Sequence, residues 1–225
     1  MILEKTLLES ANNPLAIRVC RTILHITACL IGSCLTAELL GYWLHRFLHS
    51  GVVEFLSRNH MKHHMVLYAP LQKQRSPKYH DATEDSVSLG NIGVEWLIPA
   101  TLLMAVVLVI LHLLHVWWLY QLLFLGGTLS WSFLMFSELH DVMHIEGHWL
   151  ERNRFLRAWF RSARRLHDIH HCAINDCGLM DKNLGIGFFF FDRLFGTYSP
   201  TATVFNHKGY EAARRRFPYY PAGEK

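Results

Sequence analysis

The chain has 225 residues, 51% hydrophobic and 18% charged, and its 22 Lys and Arg against 18 Asp and Glu leave a formal charge of +4. Those proportions exclude a disordered tail, a collagen-like repeat and a strongly basic nucleic-acid binder, so no nucleic-acid partner is expected. Five cysteines, odd in number and without a C-x-x-C pair, give neither a disulfide framework nor a thiolate zinc site.

In chain order, the first fourteen residues are mixed in character and show no cleavable signal peptide; they are expected either opposite the cap or along the membrane interface as an amphipathic stretch. Residues 22–44, TILHITACLIGSCLTAELLGYWL, carry one formal charge, Glu38, and predict a first membrane span. From Trp96 to Ser137 there are 42 residues without Asp, Glu, Lys or Arg. That is about twice the ~20 apolar residues one crossing needs. It predicts a hairpin of two spans, 96–115 and 118–138, turning near His115 to Gln121, where Trp117, Trp118 and Tyr120 make an interfacial aromatic group.

The remaining segments, 45–95 and 138–225, are rich in Lys, Arg and His, and the positive-inside rule places both on the cytoplasmic side. The expected fold is therefore all-α: a multi-pass integral membrane bundle of about three spans with a cytoplasmic histidine-rich helical cap (45–95 and 139–200), in one domain, 1–225. No internal repeat, GxGxxG fingerprint or Walker loop interrupts it.

Most of the 16 histidines fall in four tight groups. His45 and His49 form H-x-x-x-H where the first span ends; i and i+4 residues share a helix face, so both imidazoles can grip one ion. NHMKHH supplies His60, His63 and His64 as H-x-x-H-H. LHDVMHIEGH sets His140, His144 and His148 at i, i+4, i+8, and RRLHDIHH repeats H-x-x-H-H with His167, His170 and His171. At this histidine frequency one H-x-x-H-H arises by chance about 0.1 times, so two are a specific signal.

Neutral imidazole suits Zn, Cu, Fe and Ni, and eight to eleven clustered histidines exceed what one ion can use, so two ions are implied. A shell without thiolate is unlike a closed structural zinc site and leaves positions open for oxygen or water. Asp141 and Asp168, each directly after a box histidine, are the expected hydrogen-bond acceptors that fix a neighbouring imidazole's tautomer. His25, His112 and His115, in or at the ends of spans, and the loop residues His80 and His207 are read as non-ligands.

Glu38 is the one acid deep in a span, and with Tyr42, His45 and His49 it shares a helix face, which suggests a substrate passage leading to the cap. Arg157, Arg161 and Arg165 belong to a basic cluster interleaved with Phe155, Trp159 and Phe160. It reads as an amphipathic helix at an anionic membrane surface, and the same charges suit docking of an acidic electron carrier.

With these boxes the sequence resembles the fatty acid hydroxylase and sterol desaturase superfamily of membrane di-iron enzymes over roughly residues 40–200. The run NLGIGFFFFDRLFGT is similar to the family's closing pattern through Asn183, Gly185, Asp192, Arg193, Phe195, Gly196 and Thr197. The third box resembles the hydroxylase form through Asp141, His144 and His148 and the sterol form through His140 and Asp141, so which of the three histidines ligate stays open. Short bacterial carotenoid hydroxylases are similar in box order. The family usually shows four spans.

The resemblance implies two Fe ions, with Zn as a substitute metal in preparations, and O2 as co-substrate. It further implies a membrane lipid substrate (fatty-acyl, sterol-like or carotenoid) and an external electron donor, cytochrome b5-like or ferredoxin-like with its reductase. Hydroxylation is the expected reaction and desaturation its near alternative; the endoplasmic reticulum membrane in a eukaryote, or the inner membrane in a bacterium, is the expected location. From other classes, a histidine-rich metal transporter would place its histidines along a path through the bilayer, and a haem cytochrome would face them across spans. The boxes lie outside the spans, which disfavours both.

Overall fold

The computed structural model describes residues 14–53, 57, 60–71, 73–76, 88–89, 92–93, 97–202 and 204–217. The N-terminal amphipathic stretch up to residue 13 and His80 lie outside the described residues. The architecture is helical as expected; among the described residues, strand pairing is confined to a two-residue antiparallel ladder, β1 (Ser88–Leu89) with β2 (Ile92–Gly93), and two isolated bridges.

Helix α1 spans Pro14–Ser50, 37 residues, two turns earlier at its start than the expected span and continuous through His45 and His49. Proline suits its first position because a first-turn N–H has no helical partner to lose. Helix α2 (Leu97–Leu113) is 17 residues, and α3 (Trp118–Ser132) runs on through a π-helical segment, Phe133–Leu139, into the short α4 (His140–Val142). Pro14–Ser50 and Trp118–Val142 are long and apolar enough to cross a membrane. Of the three expected spans the middle one is apolar but shorter, about 25 Å at 1.5 Å per residue, at the lower end of the spanning range.

The chain forms two compact units. In the first, residues 1–37 and 102–131, α1 and α3 meet through small residues. The Ser33 hydroxyl lies 2.7 Å from the Cys29 carbonyl and 3.0 Å from that of Phe124, and a Cβ at Gly127 would come within 2.8 Å of Ser33 Oγ. Such close approach is how helices associate where lipid removes the hydrophobic drive. Leu24, Leu35, Val106, Val109, Leu122 and Leu129 point outward and are exposed, an all-round apolar surface suited to acyl chains. His115 takes a left-handed φ of 55° in the α2–α3 turn, and just after it the Trp117 and Tyr120 rings pack edge to face, 5.6 Å apart.

The second unit, residues 38–101 and 132–225, holds all four histidine boxes. After a π-helical segment at His63–Leu67 come, past α4, α5 (Arg157–Cys172), α6 (Phe190–Leu194) and α7 (His207–Arg216), the last capped by Asn206, whose side chain accepts the Gly209 N–H. A small core of Met61, Met65, Ile174, Met180, Ala213 and Phe217 closes one side of it. Helix α5 buries Phe160, Ala163, Leu166, His167, Ile169, His170 and His171 and exposes Arg157, Arg161 and Arg165, one i, i+4, i+8 stripe.

Candidate metal centre

Ten of the eleven box histidines collect into two groups of five. His45, His49, His60, His64 and His170 form the first; His63, His140, His144, His167 and His171 form the second; within each, one ring nitrogen per residue lies within 4.8 Å of all the others. The groups adjoin, with the His64 and His171 ring centroids 4.0 Å apart. The i, i+4 pairs His45 and His49, His60 and His64, His140 and His144, and His167 and His171 each stay within one group. The middle histidine of each H-x-x-H-H box, His63 or His170, crosses to the other group.

Hydrogen bonds decide which nitrogen faces inward. A carbonyl oxygen only accepts, so Nδ1 of His45, His170, His144 and His171 must carry the proton it gives to Leu184 (2.6 Å), Lys182 (2.7 Å), Lys73 (2.7 Å) and Tyr68 (2.9 Å) respectively. Each Nε2 is then a bare lone pair. His144 Nε2 stands 3.1 Å from His63 Nε2 and 3.0 Å from His167 Nε2, and His170 Nε2 stands 3.1 Å from His49 Nε2. Lone pairs converging at this spacing match two imidazoles bound at right angles to one ion at about 2.1 Å, which puts their nitrogens about 3 Å apart. Among the described residues, buried His45 Nε2, His140 Nε2 and both nitrogens of His64 have no hydrogen-bond partner. The donor set therefore fits two transition-metal ions.

Burial keeps the imidazoles neutral. It pushes His144 down to about 3, and His60, His63, His64, His167, His170 and His171 well below the usual histidine range, where neighbouring imidazoles lower them further. Neutral imidazole is the form that ligates metal.

Several expectations are corrected. His148 joins neither group. Helix α4 ends at Val142, and the chain turns through an Arg75–Ile145 bridge and Gly147 at φ 69°, so the i+8 position leaves the helical stripe; the His148 ring rests 5.9 Å from Phe160. For His45, His144, His170 and His171 the acceptors that set the tautomer are backbone carbonyls. Asp168 instead receives Gln74 Nε2 at 3.4 Å on one oxygen, and its other oxygen is buried without a hydrogen-bond partner; Asp141 is buried beside His140 in α4.

Glu38 and Tyr42 are buried on α1. The Tyr42 hydroxyl accepts from Arg46 at 3.2 Å and lies 3.2 Å from Thr197 Oγ1; since the Thr197 proton goes to the Asp192 carboxylate, Tyr42 is the donor to Thr197. His207 begins α7, outside both groups, and His25 packs edge-on against Tyr120.

Two contributors carry no signal in the sequence. Tyr68 stacks on His144 at 4.0 Å while its carbonyl holds His171. Arg164, one of six arginines in a basic run, is buried, pairs with Glu151, and donates to the carbonyls of Val142 (3.1 Å) and Ile145 (2.7 Å), tying the turn after α4 to α5.

A family model described as fatty acid hydroxylase matches residues 30–197, about three quarters of the chain and inclusive of all four boxes and the closing motif. No curated protein and no solved structure matches the chain.

Proposed function

The chain belongs to the fatty acid hydroxylase family, and from that premise we propose that it is a membrane-bound di-iron oxygenase that hydroxylates a C–H bond of a membrane lipid. Two adjoining, buried five-imidazole groups with carbonyl-locked tautomers are the support for this reading. His45, His49, His60, His64 and His170 would hold one iron and His63, His140, His144, His167 and His171 the other. When bound, the iron pair supplies the redox chemistry by which dioxygen and external electrons oxidise an unactivated C–H bond.

The protein's own part is positioning and exclusion. Carbonyls of Tyr68, Lys73, Lys182 and Leu184 keep four imidazoles aimed inward, so the ligand geometry costs little reorganisation when metal enters. Leu48, Met61, Met143, Leu184 and Ile186, buried in the same unit as the histidines, would help keep water out. Glu38 and Tyr42, on the face of α1 that continues to His45, mark the inner end of the lipid passage. The stripe Arg157, Arg161 and Arg165 docks the external carrier, cytochrome b5-like or ferredoxin-like, on the cytoplasmic side.

Metal content per chain in detergent-purified protein expressed with iron, alongside an untargeted lipid comparison of cells with and without the protein, tests the proposal. About two irons per chain and a new hydroxylated lipid are expected of a family whose four boxes form two ligand groups. A new unsaturated lipid instead would make it a desaturase. No bound iron with an unchanged lipid profile would overturn the oxygenase reading in favour of metal transport.

A further inference from the structure

Asp192 is fully buried and lies outside both histidine groups. Its Oδ1 accepts the Leu184 N–H at 2.6 Å and the Thr197 hydroxyl at 2.7 Å, and its Oδ2 accepts the Gly185 N–H at 2.8 Å. A Cβ at Gly185 would sit 2.8 Å from that Oδ2 and 2.6 Å from the Phe188 carbonyl, so a side chain there would displace the carboxylate from the peptide.

The Gly185 N–H and the Leu184 carbonyl belong to one peptide plane. Asp192 grips the plane at its N–H, and the carbonyl at its other end takes the His45 Nδ1 proton at 2.6 Å. A carboxylate on the N–H polarises the carbonyl and strengthens it as an acceptor.

The Lys182–Asn183 plane, two peptides earlier, is built alike: its N–H donates to the Thr197 carbonyl at 3.0 Å and its carbonyl takes the His170 Nδ1 proton at 2.7 Å. Asn183 holds a left-handed φ of 52°, a conformation asparagine tolerates, and its side chain bonds the carbonyls of Leu166 and Ser199 and the Ser199 N–H. Both imidazoles so held belong to the first group. In the second group, His144 and His171 rest on Lys73 and Tyr68 instead.

We propose that Asp192 is a positioning residue for one metal position only, bracing the Leu184–Gly185 peptide that orients His45 while leaving the second group's ligands independent of it. The proposal rests on the reading that both groups hold metal. Replacing the carboxylate by an amide puts an NH2 against groups that are all donors, which removes the brace.

The test is metal uptake by the full-length, detergent-purified protein, titrated with Co2+ and read both by ions per chain and by the visible Co2+ bands. Wild type should take up two ions. Asp192→Asn should hold one normally and bind the other about 10- to 100-fold more weakly, the usual effect of losing a group that orients a ligand. Combined with His49→Ala it should bind no fewer ions than His49→Ala alone, whereas combined with His167→Ala it should leave only the weakened position.

Should Asp192→Asn not accumulate as folded protein, Thr197→Val, which removes a single donor to the carboxylate, should show the same one-sided weakening at about tenfold. A folded variant that keeps two ions at wild-type affinity, or weakens both equally, overturns the proposal. Wild type that binds no Co2+ at all overturns the metal reading beneath it, an outcome distinct from equal binding by wild type and variant.

Discussion

The two histidine groups are built from the same parts. Each takes an i, i+4 pair from a long apolar helix or its end (His45 and His49; His140 and His144), an i, i+4 pair from an H-x-x-H-H box (His60 and His64; His167 and His171), and one histidine from the other box (His170; His63). They differ in what stands behind them. The first leans on residues 182–184 and the buried Asp192, the second on residues 68–75 and on Arg164, which ties the turn after α4 to α5. Equivalent ligand sets on unequal supports imply that one position can be weakened without the other.

The largest effects should come from the two histidines that cross between groups. His63→Ala should remove metal from the second group and His170→Ala from the first, each leaving about one ion per chain and abolishing turnover, because both ions are needed for the chemistry. Metal analysis with an activity assay checks this; a variant that keeps two ions and full activity would break the proposed partition.

Next in size, Arg164→Ala leaves Glu151 and two carbonyls without their cation and should destabilise the folded protein by about 3 kcal/mol, as loss of one partner of a buried pair does. Thermal melting measures it, and the second group should lose affinity before the first.

Acid should act on both groups together. Native His144 is held at about 3 against an ordinary 6.5. Its pKa is depressed, so the unfolded chain takes up protons first as pH falls. The stability of the metal-free protein should therefore be complete above about 6.5 and decline from there towards about 3, as seen in melts across that range. Stability that rises on acidification through the window would contradict a buried neutral cluster.

Smaller still, Arg157→Glu with Arg161→Glu should slow electron delivery about tenfold in a salt-sensitive way, with two ions retained. Stopped-flow reduction by the carrier reads this directly. Smallest of all, His148→Ala should keep both ions, since that imidazole packs on Phe160 away from either group; loss of an ion there would redraw the second group.

The helical class, the four boxes and the resemblance to the family were legible in the sequence because each depends on residue type and short spacing. The division of ligands was not. On a helix, i+4 falls about 40° to one side of i and i+3 about 60° to the other, so H-x-x-H-H states that one histidine diverges but not where it goes. The imidazole-locking carbonyls were invisible for a different reason: Leu184, Lys182, Tyr68 and Lys73 act through their backbones, which every residue possesses. Asp168 was a plausible acceptor by adjacency alone, and adjacency does not aim a side chain: its one hydrogen-bond partner among the described residues is Gln74.

What the sequence alone determined is thus the inventory: apolar runs long enough to cross a membrane, and imidazoles at helical spacing that could hold metal. Only the tertiary structure decided that His148 falls outside, that His63 and His170 change sides, and that Asp192 stands behind one group and Arg164 behind the turn of the other. Inventory is local, set by side-chain chemistry and the helical repeat. Partition is non-local, set by where the chain turns at Gly147 and by which peptide planes segments distant in sequence bring to the histidines.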